Sequence, residues 1–190
     1  MTVLATGAVG AATSRTWVES LSATAHQQAH TGAAHAALAA QVWTPRVLTA
    51  KQDETVAALA ELIIPQTVTP GARAARVNRF IDTVLHDVQA TDRAAFLRGL
   101  AWIDERSQAL FKKDFLSAGA SDQTTLLTRL SVDTKPAAAD RVGVEFFRAL
   151  KSMTIDGYYT SEIGLRQELG DDGQLFLGQF AGCDHPEHQT

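Results

Sequence analysis

The stretch "TAKQDETVAALAELIIP", residues 49–65, decides the fold class. Thr49 and Gln52 stand three apart, the spacing at which a hydroxyl and an amide cap each other's backbone at a helix start. Val56, Leu59, Ala60 and Ile63 then recur at i, i+3, i+4 and i+7, which places them on one face of a helix. Pro65 lacks the N–H that a further turn would need. The segment predicts an amphipathic helix whose apolar face requires partners.

The flanking sequence supplies them. "QTVTPGA", residues 66–72, carries a Pro-Gly turn signal and reads as a loop. "RAARVNRFIDTVLHD" predicts a second helix with Val77, Phe80, Ile81, Val84 and Leu85 inward. Arg73, Arg76 and Arg79 mark its other face, as a solvated stripe or a partner rim. "TDRAAFLRGLAWIDERSQALF" predicts a third, with Thr91 as cap and Phe96, Leu100, Ile103 and Leu110 on one side. Gly99 inside it costs about 1 kcal/mol relative to alanine, which a close helix crossing would offset. A short helix follows, with Ser121 as its cap. The next spans "TKPAAADRVGVEFFRALKSMTIDG", with Pro136 in its first turn and Gly157 as its stop. Its buried side is Val142, Phe146, Leu150 and Met153, or Phe147, Leu150 and Ile155. No alternating strand pattern stands out. The expected fold is all-α: a compact bundle of about five or six helices, residues 45–190, with an extended N-terminal segment and an irregular C-terminal tail. Residues 1–44, rich in Ala, Thr, Ser, Gln and His, read as a signal remnant and an extended or partly helical linker.

Composition narrows the function classes. The chain has 190 residues, 45% hydrophobic and 20% charged, enough for one domain with a core. Its formal net charge is -4 and no basic run is present, so no electrostatic footprint for nucleic acid exists. No run of about 18 apolar residues suggests a membrane span. The single cysteine, Cys183, has no partner for an internal disulfide. "MTVLATGAVGAA", residues 1–12, resembles the apolar part of a secretory signal without its basic start. Either that start lies upstream, or the segment is an Ala/Gly-rich tail. Ala23 and Ala25 in "SATAHQ" offer an Ala-x-Ala cleavage pattern.

A search for chemistry is negative. The sequence has no G-x-S-x-G elbow, no G-x-G-x-x-G or phosphate-loop motif and no haem-attaching C-x-x-C-H. His26 and His30 are four apart, but no carboxylate or cysteine joins them at ligand spacing. Cys183, Asp184, His185, Glu187 and His188 crowd the C-terminal segment, yet zinc sites draw on two separated pairs and only one is present. A stand-alone metal-binding protein built on that segment is the outlying alternative. Asp53–Glu54 and Asp104–Glu105 are adjacent pairs, about 100° apart on a helix, and read as surface charge rather than an acid–base pair. No catalytic, cofactor-binding or metal-ligating residue is therefore assigned.

That leaves "KSMTIDGYYTSEIG", residues 151–164. Tyr158 and Tyr159 are expected to follow a helix stop, with Thr160 or Ser161 capping a short helix and Glu162 in its first turn. Two tyrosines there either plug the bundle or anchor a protein interface. The interface candidates are Tyr158, Tyr159, Thr160, Ser161, Glu162, Cys183, His185 and Pro186.

Taken in order, "LTAKQDETVAALAELIIPQTVTPGARAARVNRFID", "FLRGLAWIDERSQALFKKDFLSA", "FFRALKSMTIDGYYTSEIG" and "GCDHPEH" resemble the gluconate 2-dehydrogenase subunit 3 family over roughly residues 46–188. The resemblance implies a small, non-catalytic subunit of a bacterial dehydrogenase acting on sugars, sugar acids or glycosides. It implies a large partner subunit carrying FAD, of the glucose-methanol-choline type, and a cytochrome c subunit with haem c as a third chain. It also implies export to the periplasm with the folded flavoprotein, guided by a twin-arginine signal. No Arg-Arg pair precedes residues 1–12 here. A second expectation is a subunit that also shapes the substrate or electron-acceptor site of its partner.

Overall fold

The computed structural model describes residues 16–31, 38, 43–132 and 136–173. Among them every regular element is helical. Helix α1 spans Trp17–Ala29, α2 Ala50–Ile63, α3 Val77–Asp87, α4 Ala90–Phe111, α5 Ala120–Val132 and α6 Arg141–Tyr159. A π-helical turn, Ile163–Glu168, closes the described chain.

Helix α2 starts as its sequence predicts. The Thr49 hydroxyl accepts from the Gln52 N–H, and the Gln52 side chain accepts from the Thr49 N–H. Val56, Leu59 and Ala60 are buried, and the helix ends before Pro65. In α3 all five expected apolar side chains are buried.

Helix α6 is the axle of the bundle, packing against each of the other five helices. Ten of its residues are buried, among them Phe146, Phe147, Leu150, Met153 and Tyr158. An amphipathic stripe would bury fewer, so α6 is a helix surrounded on most sides. Its crossing with α4 depends on Gly99, where a Cβ would stand 2.4 Å from the Phe146 Cβ. The close crossing inferred for Gly99 is present.

Several expectations change. Thr91 does not cap α4, which begins at Ala90 with Gln89 in the cap position; the Thr91 hydroxyl donates instead to the Asp92 carboxylate. Ser121 lies inside the first turn of α5 rather than at its cap. Pro136 precedes the turn that leads into α6. Leu110 and Val142 are exposed, because each sits on a terminal turn; at the end of α4 and just after it the inward places go to Phe111 and Phe115. Ile155 is exposed as well, on the outer stripe of α6 with Arg148 and Lys151. Gly157 does not stop α6. It lies within the helix because its bare backbone lets Phe80 approach, with the ring's Cδ1 2.8 Å from where a Cβ would be.

In the N-terminal arm the helical alternative holds, and the helix is docked in the core. Residues 17–29 form a helix with its own reciprocal Thr16–Glu19 cap, and Leu21, Ala25 and Ala29 are buried. Only three of its residues are buried and two of them are alanine, so the sequence shows little contrast between faces.

The arginines are not a plain stripe. Helix α3 begins at Val77, so Arg73 and Arg76 precede it. Arg73 pairs with Glu54 at 2.9 Å, Arg76 donates to the Leu38 carbonyl at 3.0 Å, and Arg79 lies over the Trp43 ring at 5.8 Å. Each ties the start of α3 to another segment.

Two buried carboxylates hold the frame. Asp82 accepts from the backbone N–H groups of Arg46, Val47 and Leu48 at 2.8, 3.0 and 2.9 Å. That fixes the approach to α2 against α3. Asp140 pairs with Arg106 of α4 at 3.0 Å and Arg129 of α5 at 2.5 Å, tying both helices to the entry of α6.

Candidate functional site

Tyr158 and Tyr159 lie on the last turn of α6 and, being about 100° apart around the axis, face opposite environments. Tyr158 is 1% exposed and Tyr159 37%. Their rings meet edge to face, centroids 5.2 Å apart. Burial pushes the Tyr158 phenol above its usual range. Its hydroxyl donates to the carbonyl oxygen of Pro70 at 2.8 Å. The tyrosine question therefore divides: one ring plugs the bundle, the other faces out.

The turn after α6 is built by Ser161. This residue is buried; its hydroxyl donates to the Tyr158 carbonyl at 2.6 Å and accepts from the Gly164 N–H at 3.0 Å. Ser161 thus bonds into the first turn of the π-helix without being its cap, since Glu162 is the residue before Ile163 and carries no side-chain cap bond. Position 164 admits only glycine, since a Cβ there would lie 2.0 Å from the Tyr158 carbonyl oxygen. Thr160 donates its hydroxyl to the Asp156 carbonyl, and Glu162 is exposed, 3.8 Å from Arg166.

The 66–73 loop is fastened onto this turn. The Glu61 carboxylate accepts from the N–H groups of Gln66 and Arg73, both at 2.8 Å, and so closes the loop's mouth. Pro70 is held by Tyr158, and the Thr69 hydroxyl donates to the Glu168 carboxylate. At the loop's tip Val68 is fully exposed, and Leu169 beside Glu168 is exposed too. Ile155 and Tyr159, four apart on the outer stripe of α6, add a third apolar element. An open groove of about 700 Å³ is lined by Ala75, Arg76, Ser161, Ile163 and Arg166 among others. Val68, Leu169 and Glu61 were not singled out in the sequence. Val68 sits between two threonines in a turn, where no periodicity marks it.

The remaining candidates divide simply. Cys183, His185 and Pro186 lie outside the described residues. His26 and His30 bring their rings to 5.3 Å, but among the described residues no group of three metal-ligating side chains forms. The adjacent acidic pairs serve the frame: Asp53 accepts from Asn78, Glu54 pairs with Arg73, and Asp104 pairs with Lys51 and accepts from the Phe115 N–H. Among the described residues no helix is long and apolar enough to cross a membrane.

Residues 50–171 match the family described as gluconate 2-dehydrogenase subunit 3. The chain belongs to that family. Membership makes it a small subunit of a dehydrogenase complex. The match takes in the 66–73 loop, all of α6 and the π-helical turn, so the whole fastened end falls inside the family's block. Helix α1 falls outside it. Searches of curated proteins and of solved structures returned no match.

Proposed function

We propose that this chain is the non-catalytic small subunit of an FAD-dependent dehydrogenase of the glucose-methanol-choline type. The complex oxidises a sugar, sugar acid or glycoside, and the chain stabilises the flavoprotein and accompanies its folded form to the periplasm. A cytochrome c subunit then takes the electrons onward. The observation that carries this reading is family membership over residues 50–171. The fastened end of the bundle supports it. Three hydrogen-bonded ties hold a short loop rigid while Val68, Tyr159, Ile155 and Leu169 stay exposed around it. A rigid end with exposed apolar and aromatic side chains loses little entropy on docking, which is what an assembly surface needs. We assign this end to the flavoprotein.

Co-expression tests the reading. The flavoprotein subunit is produced with and without this chain, and its flavin content, export and activity are measured. The expected result without the chain is a subunit that is retained in the cytoplasm or poor in flavin. A subunit that is exported, flavin-loaded and fully active by itself refutes the escort role.

A further inference from the structure

We infer that α1 is a permanent part of the folded subunit, and that any N-terminal processing leaves it in place by cutting no later than the residue before Thr16. The processing half of this inference rests on the export reading above; the retention half does not. An Ala-x-Ala pattern at Ala23 and Ala25 would direct a cut between Ala25 and His26. The structure places that peptide bond inside a helix, with Ala25 wholly buried. A peptidase needs a short, exposed, extended stretch, and a helix docked in a core does not present one.

Four ties hold α1. Its start is closed by the reciprocal bonds between Thr16 and Glu19. Its first turn reaches α6, where the Trp17 indole N–H donates to Glu145 at 3.4 Å. Its middle buries Leu21 and Ala25 completely, among the helices α3, α4 and α6. Its last turn reaches α3, where the Gln28 amide donates to Asp87 at 2.6 Å. A cut after Ala25 would remove the first three and leave less than two turns of helix, too short to persist alone. The Leu21 side chain would go with it, and the core would open along α6. The family match begins at residue 50, so the folded unit extends well upstream of the family's block.

The test uses the full chain with a C-terminal tag, co-expressed with its flavoprotein in an exporting bacterium. The intact mass of the exported chain is read. A first residue at or before Thr16 is expected, and a chain beginning at His26 overturns the inference. An exported chain of full mass still supports retention of α1 and leaves the export reading standing without cleavage. If no chain leaves the cytoplasm, the export reading fails, and hydrogen exchange on the cytoplasmic full chain decides retention. Amides of residues 21–29 are then expected to exchange within about tenfold of those in the middle of α6. Exchange at the rate of an unfolded chain overturns the inference. As a second variant, Ala25→Asp in the full chain should lower Tm by about 10 °C; an unchanged Tm counts against it.

Discussion

Tyr158 and Pro70 are 88 positions apart in sequence and joined by one hydrogen bond, hydroxyl to carbonyl, at 2.8 Å. That bond links the end of the axle helix to the loop that carries Val68. It turns a Pro-Gly loop into a fixed feature of the bundle's end. Removing the hydroxyl alone, as in Tyr158→Phe, keeps the ring in the core and frees the loop. A loss of about 0.5–1.5 kcal/mol is expected in urea unfolding, together with faster exchange of the 66–73 loop amides. Unchanged exchange in that loop would show that the other two ties suffice.

Tyr159 offers the opposite case. Its ring is more than a third exposed and carries little of the fold. Tyr159→Ala should change stability by less than about 0.5 kcal/mol, as surface substitutions do. Co-purification with the flavoprotein should weaken in the same variant, and combining it with Val68→Asp should abolish it. Normal assembly by the double variant would move the docking surface elsewhere.

Gly99 and Gly157, each at a helix crossing, rank differently. At Gly99 an added methyl would meet the Phe146 Cβ at 2.4 Å, an atom fixed to the α6 backbone. At Gly157 the nearest atom is the Phe80 Cδ1 at 2.8 Å, on a ring that can tilt. Alanine's helix preference contributes about 1 kcal/mol in both cases, against an overpacking cost of about 1–3 kcal/mol. Gly99→Ala should therefore be clearly destabilising and Gly157→Ala closer to neutral. Thermal unfolding of the two variants checks the order.

Asp140 balances two arginines, and its own side chain is only 3% exposed. Asp140→Ala would leave Arg106 charged and mostly buried without its carboxylate, with only the Trp102 ring beside it. The expected loss is about 3–5 kcal/mol, read as a lowered urea midpoint. A loss below about 1 kcal/mol would mean that water reaches Arg106 and that the pair is not part of the frame.

Asp156 supplies a pH dependence. Burial holds its carboxyl above the ordinary value of 3.8, while His26 and His30, facing it from α1, oppose the shift. Between the unfolded and folded values the folded state binds more protons, so this group's contribution falls as pH rises through that window. Above it the ionised carboxylate is a standing cost. Asp156→Asn should gain stability over the wild type at pH 7 and lose that gain as pH drops below 3.8. Denaturant titrations at pH 7 and pH 3 check the sign.

The all-helical class was legible because capping and apolar spacing are local properties. Thr49, Gln52 and the four apolar residues of α2 carry their information within one helix. So did the Gly99 crossing, since a glycine inside a helix has few other uses. A partly helical linker was legible at α1, but not that the helix belongs to the core. Its buried face is one leucine and two alanines, and small residues become core only when another helix comes close enough to cover them. Gly157 misled for a related reason: a glycine near a helix end serves equally as a stop or as a contact, and only Phe80 decides.

The sequence alone determined the helices from α2 onward, the Thr49–Gln52 cap and the family, because each rests on residues close together or on blocks in a set order. Only the tertiary structure decided which tyrosine is core and which is surface. Two adjacent helical residues differ by about 100° of rotation, and nothing local sets the zero of that angle. Pro70, 88 positions before Tyr158, and Phe80, packed against Gly157, set it.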